Sequence, residues 1–313
     1  MTIRQLRYFL RIIELKSFSK AAAFLHVAQP ALGLQIRKLE EELDVKLLNR
    51  HSRGITPTEA GLLLREHANI ILRQIERARL SLTDLSGPPR GKIAVGVTPT
   101  LNLILATQLV ERCIRDYPHV SLSIVGGMSE DLMKWVESDR LDLAFSYNPS
   151  AVQGLVCEPL LVEDLCLIGP GDGIPQEPGR YSGTASLEEA ASRPLILPSM
   201  ASGMRALVEE AANDRGLKID ILLEIDSVTA TKELVIKGIG HGILPFGAVK
   251  REVGDGRITA RRFTDPTLSR EMYLVYSAKR PASNATAAIR EMMRDVVSEN
   301  IASGDWAWRP AGA

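Results

Sequence analysis

The sequence predicts an all-α head at the N-terminus joined to an α/β body of two Rossmann-like subdomains. Three observations predict this division. Apolar residues recur every three or four positions through most of the first 85 residues, which is the helical period. Beyond residue 91, short β-branched runs alternate with helical stretches, the pattern of strand-helix-strand units. Charge divides at the same place: the formal net charge of the 313 residues is +0, yet residues 1–90 hold 15 Lys+Arg against 9 Asp+Glu, and the remainder 23 against 29. A basic head on an acidic body fits a nucleic-acid-binding part attached to a part that binds something else.

At 45% hydrophobic and 24% charged, the chain has the makeup of a globular protein with two or three packed domains. It contains no run of about 18 apolar residues, and MTIRQLRYFL lacks the basic, apolar, small-residue order of an export signal, so a cytoplasmic location with no membrane partner is expected. Cys113, Cys157 and Cys166 are odd in number and lack C-x-x-C spacing. Neither a disulfide framework nor a zinc site is indicated, and no metal or cofactor is expected.

Residues 2–15 read as a helix opened by a capping box of Thr2 and Gln5, with Leu6, Phe9, Leu10 and Ile13 on one face. A second helix begins at Ser17 or Ser19, runs through Lys20 and the small Ala21, Ala22 and Ala23 to Leu25, and breaks near His26. A third follows at once, with Pro30 in its first turn, where a missing N–H is harmless, and Leu32, Ile36, Leu39 and Leu43 turned inward. Two helices across a tight turn form a helix-turn-helix. Residues 49–57 then carry Arg50, Arg53, a turn at Gly54 and one apolar anchor, Ile55, the makeup of a wing. From Thr58 to about Leu85 the chain reads as one capped helix, with Ala60, Leu64, His67, Ile71, Ile75, Ala78, Leu82 and Leu85 close to a heptad seam. Such a helix spans on the order of 40 Å, more than the head can cover, so the same helix of a second chain is the expected partner. Ser86-Gly87-Pro88-Pro89-Arg90-Gly91 ends it as a linker.

In the body, strands are expected at Lys92–Val97, Val120–Val125, Leu141–Tyr147, Leu160–Ile168, Leu195–Leu197, Ile219–Ile225, Gly242–Leu244 and Met272–Ser277. Helices are expected at Leu101–Asp116, Ser129–Ser138, Leu187–Ala191, Ser202–Gly216, Val228–Lys237 and Asn284–Glu299, which together imply parallel sheets. Gly238-Ile239-Gly240-His241-Gly242 has the glycine spacing of a nucleotide loop but follows a helix, so it reads as a helix C-cap. Residues 304–313, Trp306 and Trp308 included, have no usable period and are expected to be disordered.

The run from Ser17 to Leu32, continued by Gln35-Ile36-Arg37-Lys38-Leu39-Glu40, Leu47-Leu48-Asn49-Arg50 and Thr56-Pro57-Thr58-Glu59-Ala60-Gly61, resembles the signature of LysR-type transcriptional regulators over the first 61 residues. Leu223-Glu224-Ile225-Asp226 with Ile243 to Val249 resembles the subgroup that includes nitrogen- and sulfur-assimilation regulators. The resemblance implies a winged helix-turn-helix in residues 1–58, a dimerisation helix and hinge in 58–90, and an effector-binding domain in 91–303 built like periplasmic binding proteins. Its subdomain I would take about 91–166 and 269–303, and subdomain II about 167–268. It also implies a homodimer or tetramer on pseudo-palindromic double-stranded DNA, with RNA polymerase as a further partner.

With its leucines inward, the third helix turns Gln29, Pro30, Gly33, Leu34, Arg37 and Lys38 outward, a face that can enter a major groove. Gln29 and Gln35 can bond phosphates or base edges. Lys38, Arg50 and Arg53 suit phosphate contacts, and Ser17, Ser19 and Lys20 can hold the backbone from the second helix. Taken singly, each is an ordinary solvated side chain; their clustering on one face favours DNA. The family pattern has Ser, Ser and Arg where this chain has Ala28, Gly33 and Leu34. Ala28 forfeits a cap worth roughly 1 kcal/mol, and Gly33 weakens the helix by about as much while allowing closer approach to a duplex. Leu34 cannot read guanine and is expected to meet a thymine methyl; an exposed leucine of no consequence weighs equally.

In α/β sheets, ligands sit beyond strand C-termini, where helix N-termini present free N–H groups. Thr98-Pro99-Thr100 is the leading candidate. Met128-Ser129 enters the next helix, but Glu130 and Asp131 in its first turn oppose an anion, so Ser129 reads first as a cap. From the second block come Ser199-Met200-Ala201-Ser202 and Ser227-Val228-Thr229, turns that are more often plain caps, with Tyr147 and Phe246 as apolar walls. The expected effector is a small organic anion. The rivals are an α/β enzyme and a stand-alone solute-binding protein without DNA binding. The sequence has no G-x-S-x-G, H-E-x-x-H or Walker loop and its five histidines are dispersed, so no catalytic residue is expected.

Overall fold

The structure is a computed structural model, and it describes residues 1–51, 54–83, 87–177, 179–200, 202–279 and 282–312. The chain forms two compact units, residues 1–87 and 88–313. Arg53, residues 84–86 and Ala201 fall outside the described residues, as do the side chains of Leu82 and Leu85 in the expected seam.

The first unit contains α1 (Ile3–Leu15), α2 (Phe18–Phe24), α3 (Gln29–Leu43), β1 (Leu48–His51), β2 (Gly54–Pro57) and α4 (Glu59–Thr83). Both halves of the capping box form at Thr2 and Gln5. Ser17 caps α2 by accepting from Lys20 N, and His26 adopts a left-handed φ of 53°, which lets Val27 N return to Ala22 O and closes the turn. Leu32, Ile36 and Leu39 are fully buried with Phe9, Ile12 and Ala21, each large side chain contributing roughly 1.5–3 kcal/mol. Leu43, expected inward, is exposed, because α3 ends there and its last turn runs past the core; the inward place in that turn belongs to Glu40. The buried Glu40 carboxylate accepts from Leu47 N at 2.8 Å and Leu48 N at 3.3 Å, tying the wing to α3. Thr58 caps α4 through Gly61 N, and a Cβ on Gly61 would stand 2.1 Å from Leu47 O, so only glycine allows that approach.

The second unit contains β3 (Gly91–Val97), α5 (Pro99–Asp116), β4 (Val120–Gly126), α6 (Ser129–Glu137), β5 (Leu143–Tyr147), β6 (Leu155–Pro170), β7 (Gly183–Ala185), α7 (Leu187–Ala191), β8 (Leu195–Leu197), α8 (Gly203–Asn213), β9 (Ile221–Glu224), α9 (Val228–Ile236), β10 (His241–Pro245), α10 (Phe246–Gly254), β11 (Ile258–Phe263), β12 (Ser269–Ser277), α11 (Asn284–Ser303) and β13 (Trp308–Pro310). The main strand order is β4-β3-β5-β12-β6-β10-β8-β9. The sheet is mixed rather than parallel: β3, β4 and β5 pair in parallel, as do β8, β9 and β10, but β6 and β12 run antiparallel to their neighbours. The first part of β6, Leu155–Asp164, pairs with β12, and the rest pairs with β10 and β11. One strand therefore belongs to both blocks, and two separate apolar cores lie on either side of its midpoint.

The last residues depart from expectation. Instead of lacking order, Trp308–Pro310 pairs with Leu161–Glu163 along an edge of β6, and Trp308 is buried in the first core. A strand edge offers unpaired N–H and C=O groups, so a segment with no period of its own is ordered by pairing. Gly238, with φ of 71°, follows the C-cap Lys237 and turns the chain out of α9, and Ile239 N returns to Leu234 O.

Candidate DNA-reading helix and effector cavity

In the first unit, Gln29, Pro30, Leu34, Arg37 and Lys38 are all exposed along α3. A Cβ on Gly33 would meet nothing within 4 Å, so that face is open. Ala28 holds the N-cap position without a side-chain bond, leaving the first N–H groups of α3 uncapped. Ser19 Oγ donates to Gln29 Oε1 at 2.9 Å, which joins α2 to the start of α3 and orients the amide. Ser17 is engaged as the cap of α2, while Lys20 is exposed. Gln35 lies apart from the open face, half-buried on the α1 flank, where Gln5 Nε2 donates to its backbone oxygen at 3.5 Å. Arg50, on β1, sits over the Phe18 ring at 4.6 Å, which brings the wing cation to α2. Lys20, Arg37 and Lys38 make no ion pair among the described residues. Arg37 and Lys38 are thus presented by α3 itself, Lys20 by the adjoining α2, and Arg50 is held against α2 at Phe18.

In the second unit, a cavity of about 360 Å³ opens between the two blocks. Of the residues proposed from the sequence, Thr98, Thr100, Met128, Ser129, Tyr147 and Ser202 line it, and Ser146 and Arg270 line it as well. Thr98 and Ser202 hold the N-cap positions of α5 and α8 without side-chain caps, and neither helix has an acidic residue in its first turn. Both N-termini therefore keep their partial positive charge for a ligand. The hydroxyls of Thr98 and Ser146 are buried with no hydrogen-bond partner among the described residues, and that of Tyr147 lies buried against the Glu163 carboxylate and the Arg270 guanidinium. Such groups are costly to leave unmade, by ~1–3 kcal/mol each. Burial, followed by the nearby Glu163 carboxylate, holds the Tyr147 phenol well above its usual range, so the ring keeps its proton to donate. Arg270 is 8% exposed and its guanidinium carbon lies 3.6 Å from the Tyr147 ring centroid. Glu130, Lys134, Glu137 and Asp226 are exposed at the rim.

Several expected site residues lie elsewhere. Phe246 is not a cavity wall: it opens α10 and is buried in the second core, its ring edge-on to Tyr181 at 4.9 Å. Ser199, Met200, Ser227 and Thr229 do not line the cavity. Ser199 N donates to Asp226 Oδ1, Met200 and Thr229 are exposed, and Ser227 caps α9 through Ala230 N. Ser129 is not the N-cap of α6, a position held by Met128; its hydroxyl accepts from Tyr147 N at 3.2 Å. Arg270 escapes a sequence reading because the pattern places a strand only from Met272, leaving residue 270 off the element. Ser146 lies in a strand buried on both faces, where alternation carries no signal.

A helix-turn-helix with an anchored wing, carried with an α/β unit that encloses a ligand-sized cavity, defines a DNA-binding transcriptional regulator under small-molecule control. The family model for the "Bacterial regulatory helix-turn-helix protein, lysR family" matches residues 3–62, and that for the "LysR substrate binding domain" matches residues 86–298, so the chain belongs to the LysR family. It is similar to the nitrogen assimilation regulatory protein nac of Klebsiella aerogenes, 35% identical over 299 residues covering 95% of this chain and 96% of the relative. The nac protein of Escherichia coli K12 is 32% identical over 96% of this chain and 97% of its own length. Among solved structures, full-length CbnR complexed with its target DNA matches with a TM-score of 0.71 at 22% identity, covering 95% of this chain and 100% of that one, a likeness of fold. A full-length OxyR variant of Pseudomonas aeruginosa gives 0.70 at 23% identity, over 99% and 98%. The protein is a transcriptional regulator and not an enzyme. Among the described residues, no helix is long and apolar enough to cross a membrane.

Proposed function

We propose that the cavity between the two blocks is the effector site and that its ligand is a small organic anion. The observation that carries this reading is the convergence of two unpartnered buried hydroxyls, on Thr98 and Ser146, with two uncapped helix N-termini on one cavity. An anion at α5 and α8 would accept from their N–H groups, and Thr98, Thr100, Ser202 and Tyr147 would complete its shell. Met128 and Met133 supply apolar wall, which suits a short carbon chain. The rim acids select against long or strongly polyanionic ligands.

On the DNA side, residues 1–58 act as the reading head, 58–90 as the dimerisation helix and hinge, and 91–303 as the effector domain. Gln29, Pro30, Gly33 and Leu34 approach base edges; Ser17, Ser19, Lys20, Arg37, Lys38, Arg50 and Arg53 hold phosphates. Two heads, paired through α4, take pseudo-palindromic half-sites, and tetramers form through the effector domains. Effector binding shifts the blocks, alters head spacing and so changes RNA polymerase access in the cytoplasm. A thermal-shift screen of carboxylated, phosphorylated, cationic and neutral metabolites on the full-length protein tests the ligand class, since a ligand that binds only the folded state raises its melting point. Stabilisation by cations or neutral sugars alone would overturn the anion reading.

A further inference from the structure

We propose that Trp308 is a positioning residue of the effector cavity, acting through Glu163 to hold Arg270 in the cavity wall. The proposal rests on the reading of that cavity as the effector site. Glu163 is 1% exposed and lies on β6 where the C-terminal strand β13 pairs with it. Its two oxygens are divided between two donors. Trp308 Nε1 donates to Oε2 at 3.0 Å, and Arg270 Nε donates to Oε1 at 2.7 Å. Arg270 Nη2 lies 2.6 Å from the same Oε1 and has no aligned acceptor of its own.

A carboxylate free to turn beside a guanidinium takes a two-pronged pair, one oxygen to each nitrogen. Here the indole N–H takes one oxygen, so Glu163 grips the guanidinium through the other alone. That leaves donor capacity on Nη2, and a ligand oxygen entering the cavity supplies the missing acceptor. The guanidinium is also pinned against the Tyr147 ring, so its plane is set from two sides.

Trp308 itself is fixed from three directions. β13 pairs with Leu161–Glu163, Arg309 pairs with the buried Asp164, and Trp306 stacks on Trp308 with ring centroids 5.7 Å apart. Trp306 is held in turn from α10: Lys250 Nζ lies 4.3 Å from its ring and pairs with Asp305 at 2.9 Å. The segment therefore straps α10, in the second block, to β6, and its indole reaches the cavity wall from behind. The match to the family's domain model ends at residue 298, before this strap begins.

The test uses full-length protein with 15N-labelled arginine, in which Arg270→Lys identifies the Arg270 Nε–H signal. In Trp308→Phe, which keeps a ring and removes the N–H, Oε2 is freed and Glu163 takes the two-pronged pair, so that proton exchanges with solvent at least about tenfold more slowly. Trp306→Phe, which disturbs the strap without removing the donor, leaves Arg270 exchange unchanged even where it lowers the melting point. A chain ended after Ser303, past the matched domain, frees the same oxygen, shows the same slowing as Trp308→Phe and serves if that variant does not fold. Arg270 exchange unaltered or faster in either variant overturns the proposal. The readout needs no ligand, so it succeeds or fails independently of the metabolite screen.

Discussion

Replacing Thr98 with valine separates a hydroxyl kept for a ligand from one kept for the fold. Thr98 is 6% exposed, its Oγ1 has no partner among the described residues, and it does not cap α5 although it stands at the N-cap position. A buried donor left unmade costs ~1–3 kcal/mol, and replacing it by a methyl of the same shape removes that penalty. The ligand-free protein should therefore gain about 1 kcal/mol or more, which raises the melting point by roughly 2–4 °C per kcal/mol in a domain of this size. The same substitution should abolish or sharply reduce the thermal shift given by any metabolite that stabilises the wild type. Calorimetry of the full-length protein with and without that metabolite reads both effects. A fall in the ligand-free melting point, as for an ordinary threonine whose hydroxyl is satisfied, would refute the reasoning.

Other outcomes follow from named residues. Leu34→Arg, on the open face of α3, should move the preferred base at one operator step from A·T to G·C, a discrimination of about 1–3 kcal/mol; an unchanged operator in a binding-site selection would dismiss the thymine contact. His241 has a buried Nδ1 without a partner among the described residues, and burial, then the charge of Arg193, holds its pKa below the ordinary 6.5. The folded state thus binds fewer protons than the unfolded one, so its contribution is present above pH 6.5 and is lost as pH falls from there through the lowered folded value. His241→Gln should flatten the acid limb of the melting-point curve, and parallel curves for the two proteins would contradict this.

The head is legible in the sequence because its signals are local. Thr2 with Gln5, Pro30 in a first turn, and the spacing of Leu32, Ile36 and Leu39 each act within one or two helical turns. Glu40 is not legible as a wing anchor because its partners, Leu47 N and Leu48 N, come into reach only once α3 has ended. In the body, the turns at Thr98 and Ser202 can be read because strand-to-helix junctions recur at fixed places in α/β sheets. Phe246 misleads because the sequence pattern yields no helix after Gly242–Leu244, whereas Pro245 is the N-cap of α10; a Cβ on Gly247 would lie 3.0 Å from Ile104 Cδ1, so the glycine serves a close approach. Trp308 and Arg270 depend on long-range pairing with β6, which leaves no period in their own segments.

The open face of α3 is proposed to be the surface that meets a duplex. Fluorescence anisotropy titration of a promoter fragment selected by the wild-type protein, across a salt series, tests it with Gln29, Lys38 and Arg50 all changed to alanine. Binding is expected to weaken at every salt concentration, with a log–log salt slope shallower by about 0.9 for each phosphate contact removed. Unaltered affinity and slope in a variant that still folds and dimerises would contradict it.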